Sequence, residues 1–206
     1  MPRKTDIRSQ RTKGDIKRAL LAVLKSKPLA DVSIAEVARE ADISRTTFYT
    51  HYDCLASVYD ELVLDFQDDI QTLHEHLDCV TCRNSQELVP LCEKARHPGD
   101  FEAVLADPRF MSTWFHVSKG TVMKEYEQAL VGSGLSPHQA QAVVTFQLSG
   151  CMATARSHLG KLEDWGDIQR TLDAFIAGGL AAIKGSAEKA AGAQENPEGE
   201  SAKEPA

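Results

Sequence analysis

Apolar residues in this chain recur every three or four positions and nowhere settle into strand-like alternation. That pattern admits helices and argues against sheets. Ile16, Ala19, Leu20, Val23 and Leu24 share one face of a helix that begins near Gly14 and is stopped by Pro28. Ile34, Val37, Ala38 and Ala41 give the inner side of a short helix. Leu55, Val58, Tyr59, Leu62, Phe66, Ile70, Leu73 and Leu77 give that of a long one, with Asp53 as its candidate cap. Further on, the spacing predicts a helix broken or kinked at Pro90, a short one stopped before Pro108, and longer ones over 109–131, 136–159 and 164–183. The fold class is all-α: an N-terminal three-helix head followed by a helical body. The divisions expected are a flexible basic arm over 1–10, a helix-turn-helix domain over 11–53, a regulatory and dimerisation body over 54–185, and a disordered tail over 186–206. The tail has no apolar residue larger than Ala.

Charge separates the same two parts. A net charge of −7 argues by itself against a nucleic-acid partner. Residues 1–52, however, hold eleven Lys and Arg against six acids, a net of +5, and the remainder holds twelve against twenty-four. A basic head on an acidic body is the footprint of one part that meets phosphate and one that does not.

Within the head, "SIAE" at Ser33–Glu36 is a capping-box pattern. It opens the short helix, and "ADIS" then turns the chain into a second short helix capped by Ser44. Two capped helices around a tight turn form a helix-turn-helix, whose second helix enters the major groove with its N-terminal residues at the base edges. Arg45 is suited to pair bidentately with guanine. Thr46 and Thr47 are suited to bases or phosphates, and Tyr49 and His51 to phosphates. The caps Ser33 and Ser44 leave helix N-termini toward the DNA backbone. Phe48 is expected to face inward. The competing reading is a solvated turn that happens to be rich in Thr and Tyr.

The run "SIAEVAREADISRTTFYTHYDCLASVYDEL" resembles the DNA-binding head of the TetR/AcrR family of transcriptional regulators. The resemblance rests on Ile34-Ala35, Ala38, Ala41, Ile43-Ser44, Thr47-Phe48-Tyr49, His51 and Tyr52, and it spans roughly residues 12–64. The rest of the chain is similar only in being helical and of the expected length. The resemblance implies a TetR-like dimer that binds a DNA palindrome and a repressor relieved by a small ligand. Two positions depart from the family pattern. Asp42 stands where Gly is usual, and Asp tolerates the left-handed conformation such a turn needs. Leu55 stands where many members carry a phosphate-binding Lys, which shifts reliance to Arg8, Arg11 and Lys13.

A homodimer is also expected because one recognition helix covers few bases, so two heads about one DNA turn apart are needed. The last two long helices are the candidate interface. Ser149, Gly150, Ala153, Thr154, Ser157, Gly178 and Gly179 either permit close approach of a second copy or pack inside the monomer. For a small-molecule effector, Met111, Trp114, Phe115 and His116 are the candidate pocket, with His116 as polar anchor; the plainer reading makes them core with His116 exposed.

"HEHLDCVTC" gathers His74, His76, Cys79 and Cys82, with Cys92 and His97 beyond. One C-x-x-C lacks the second pair that structural zinc wants, so no metal site and no cofactor is assigned. A thiol- or metal-responsive regulator using Cys79 and Cys82 is one alternative. An all-helical protein-interaction module with a vestigial helix-turn-helix is another. No nucleophile elbow, phosphate loop or dinucleotide fingerprint is present, so no enzyme is expected. The N-terminus has no apolar signal core and no run reaches membrane-spanning length, so a cytoplasmic protein without a membrane partner is expected.

Overall fold

The computed structural model describes residues 4–69, 91–118, 122–159 and 164–194, and every regular element among them is helical. The head comprises α1 (Lys4–Leu24), a 3-10 turn (Leu29–Asp31), α2 (Ile34–Glu40) and α3 (Arg45–His51). The body begins with α4 (Leu55–Asp69) and continues with α5 (Leu91–Arg96), a second 3-10 turn (Gly99–Phe101), α6 (Glu102–Ala106) and α7 (Phe110–Ser118). It ends with α8 (Val122–Gly132), α9 (Pro137–Ser157) and α10 (Trp165–Gln194). No helix among the described residues is long and apolar enough to cross a membrane.

Both ends of the chain correct the expectation. The arm assigned to 1–10 is helical from Lys4, and α10 runs on to Gln194 into the stretch assigned to a disordered tail. The physical reason is shared. Extending a helix that already exists avoids the costly nucleation step, so polar or Ala-rich residues of good propensity continue it without needing an apolar face. Asp53 is likewise one residue early as a cap. Cys54 directly precedes α4, and its thiol lies 3.5 Å from the Ser57 hydroxyl. The helix expected over 109–131 is described as α7 and α8, with residues 119–121 outside the described set.

One apolar cluster runs from Ile16 on α1 to Leu180 on α10 and crosses the boundary expected at 53/54. Phe48 and Tyr52 enter it from α3, Val58, Tyr59, Leu62, Val63 and Phe66 from α4, and Phe110 and Trp114 from α7. Outside the core, Lys13 meets Glu61 at 2.7 Å and Lys17 meets Asp65 at 2.5 Å, which ties α1 to α4 along their length.

The turn between α2 and α3 closes as a Schellman motif. The Asp42 N–H donates to the Arg39 carbonyl (3.2 Å) and the Ile43 N–H to the Ala38 carbonyl (2.9 Å). The residue that reverses the chain is Asp42, at φ +52°. Asp thus fills the left-handed position that Gly would fill more cheaply.

Candidate nucleic-acid interface

Short helices such as α2 and α3, each of seven residues, are marginal by themselves, so their ends decide their stability. The Ser33 hydroxyl accepts from the Glu36 N–H (3.3 Å), and the Glu36 carboxylate accepts from the Ser33 N–H (2.9 Å) and hydroxyl (2.8 Å). Lys27 adds a 2.6 Å ion pair to the same carboxylate. The Ser33 hydroxyl is therefore occupied by its own helix, and its place in the site reduces to holding α2.

These contacts hold the Glu36 carboxyl down to about 2, through the Lys27 ammonium first and then the Ser33 hydroxyl and amide. A depressed carboxyl stabilises the fold fully above its ordinary value of 4.5, and that contribution is lost as pH falls toward 2. Lys27→Met is expected to move the Glu36 midpoint back up toward 4.5, followed by carboxyl-carbon NMR. An unmoved midpoint would mean the ammonium is not what holds it.

At α3, Ser44 accepts from the Thr47 N–H at 2.9 Å, and the two hydroxyls lie 2.8 Å apart. Phe48 is fully buried, with its ring against those of Tyr49 and Tyr52. That anchor turns the opposite face outward: Ser44, Arg45, Thr46, Tyr49 and Thr50 are exposed, Tyr49 at 56%. Thr47 is half-buried and spends its hydroxyl on Ser44, so it belongs to the cap more than to the outward face. Thr50 bonds back to the Thr46 carbonyl at 3.0 Å.

His51 is half-buried, with Nδ1 3.4 Å from the Ser9 hydroxyl of α1. The start of α1 thus lies alongside the end of α3. Arg8, Arg11 and Arg45 are all exposed and none forms an ion pair among the described residues. Lys13 differs from them. It is paired with Glu61 and sits over the Tyr52 ring at 4.7 Å, so it braces the head instead of facing a phosphate. The Tyr52 hydroxyl donates to Glu61 at 2.7 Å, and burial together with that carboxylate pushes its pKa up. The arginines of this edge were named from the sequence, but their place on a helix was not, because a polar N-terminus carries no periodicity to betray one.

In the body, the four residues expected to line an effector pocket differ in how far they are buried. Trp114 is 1% exposed, stacked on Phe110 and edge-on to Phe115. Met111 and Phe115 are half-buried against the core, while His116 is exposed. Trp114 packs because its place on α7 faces α4, and His116, two residues on, must then point away. Among the described residues, open apolar space lies at the end of the body. A groove of about 470 Å³ between α9 and α10 is lined by Val143, Phe146, Gly150, Leu172, Phe175 and Gly179, among others. Phe146 and Phe175 are 69% and 66% exposed there. A Cβ built on Gly150, Gly178 or Gly179 would meet nothing within 4 Å, so these glycines do not pack inside the protomer.

Cys151 also lines this groove, where burial pushes its thiol up to about 11. Cys54 is exposed, and hydrogen bonds from Ser57 draw its thiol below the ordinary value. His74, His76, Cys79 and Cys82 lie outside the described residues, and no group of three metal-ligating side chains occurs among those described. Neither a protein-family model nor a curated protein matches the chain.

Proposed function

We propose that the chain is a homodimeric, sequence-specific DNA-binding regulator of the TetR-like kind, acting as a repressor. The observation that carries this reading is the outward face of α3. Ser44, Arg45, Thr46 and Tyr49 project from a capped helix that the buried Phe48 pins to the core, with free arginines of α1 at its end. A rigid scaffold under a polar, cation-bearing edge is what base and phosphate contacts require.

The second copy is assigned to the α9–α10 groove. Two exposed Phe rings and three glycines with open space above them form an apolar face shaped for close helix approach. An isologous contact there gives the pair of heads a twofold axis and calls for a palindromic site. Relief by a small ligand remains part of the proposal, but not through Trp114, which is filled core.

Selection from a random duplex library at fixed, near-physiological salt tests the reading, since phosphate contacts make affinity salt-dependent. An enriched palindrome is expected. On that site, Arg45→Ala should lose about 1–3 kcal/mol of discrimination at one base position in each half-site, measured by titration against single-base variants. An unselected library would instead favour a helical protein-interaction module. Unchanged discrimination in the variant would take Arg45 out of the base-reading set.

A further inference from the structure

The last turn of α6 and the residues just after it receive hydrogen bonds from three separate parts of the molecule. From α4, the Tyr59 hydroxyl donates to the Val104 carbonyl at 2.9 Å. From α9, Arg156 donates through Nε to the Leu105 carbonyl (2.5 Å) and through a terminal nitrogen to the Asp107 carbonyl (3.0 Å). From the head, the Leu29 N–H donates to the Asp107 carboxylate at 2.7 Å, and the other carboxylate oxygen takes the Arg109 N–H at 2.8 Å.

Asp107 is only 4% exposed. Burying a carboxylate is costly unless it is well satisfied, so its two amide contacts are strong and geometry-sensitive. Leu29 opens the 3-10 turn that leads through Val32 into Ser33, the cap of α2. The carboxylate therefore grips the lead-in to the helix-turn-helix. On the other side, Arg156 belongs to α9, whose residues Phe146, Gly150 and Thr154 line the groove. Arg156 is therefore the link through which any displacement of α9 would reach the Leu105 and Asp107 carbonyls. Displacing Asp107 by about 1 Å along the Leu29 bond ends that bond.

We infer that Asp107 is the residue that positions the DNA-binding head on the body, and that Arg156 transmits to it the state of the α9–α10 face. The functional half of this inference rests on the DNA-binding reading above; the mechanical half does not. Among the described residues Arg156 has no hydrogen bond to the head, so an effect of Arg156 on Leu29 is the signature of the relay.

Amide hydrogen exchange on the full chain reads it directly. Asp107→Asn and Arg156→Met are each expected to speed Leu29 exchange by about tenfold or more, with the Phe48 amide of α3 unchanged as the control for folding. Arg156→Lys, which keeps the charge and some donors, should fall between wild type and Arg156→Met, and it serves should the Met variant unfold. Unchanged Leu29 exchange in both Arg156 variants overturns the relay. On a selected DNA site, Asp107→Asn and Arg156→Met should both weaken binding; faster Leu29 exchange with unaltered affinity overturns the positioning role. Failure of the wild type to select any site defeats the DNA-binding reading alone, because the Leu29 result stands without DNA.

Discussion

Trp114→Ala is expected to cost about 3–5 kcal/mol of stability, the range for deleting a fully buried aromatic side chain. The indole is 1% exposed between Phe110, stacked at 6.5 Å, and Phe115, edge-on at 5.4 Å. Its removal leaves a void beside α4 that the surrounding helices can fill only in part. For a chain of this length the melting temperature should fall by about 10 °C, taking about 2–4 °C per kcal/mol. His116→Ala, two residues along but exposed, should change stability by no more than about 0.5 kcal/mol. Urea unfolding followed by circular dichroism separates the two, with protein concentration held fixed because an associating protein gains stability with concentration. A Trp114→Ala cost below about 1 kcal/mol would mean that the ring borders free space, and would reopen α7 as a wall of an effector pocket.

Phe146→Ser is expected to raise the dimer dissociation constant by roughly a thousandfold. The side chain is 69% exposed in the protomer, and burying one such ring contributes about 2 kcal/mol. A twofold interface counts the change twice, so about 4 kcal/mol is lost, which is about three powers of ten in affinity. Phe175→Ser, on the facing helix at 66% exposure, should do nearly as much. Sedimentation across a dilution series measures both. Because these rings stand outside the protomer's core, neither substitution should unfold the monomer. An unchanged oligomeric state in both variants would move any self-contact off the α9–α10 face.

Much of this was legible in the sequence because it depends on local pattern alone. The helical period of Ile16, Leu20 and Leu24, and of Val58, Leu62 and Phe66, marks faces that must be buried somewhere, and all of these residues are buried. The caps at Ser33 and Ser44 are legible because a hydroxyl must meet a backbone N–H two or three residues on. The inward turn of Phe48 follows from the same period. Asp42 could be read as a left-handed turn residue because few other side chains tolerate that conformation.

What the sequence could not decide was partnership across long separations. Lys13 counted toward the basic charge, but Glu61 takes it, and only the packing of α1 on α4 brings the two together. Trp114, Phe115, Phe146 and Phe175 are equally apolar in one dimension. The arrangement of helices buried the first and left the last two at the surface, because burial depends on which neighbours reach each face. The grip of Asp107 on Leu29 joins positions 78 residues apart, and no local spacing encodes it. Local pattern thus determined most of the helices, the caps of α2 and α3 and the inward turn of Phe48. Tertiary structure alone decided which charges remain free, where apolar surface stays open, and how the head is held to the body.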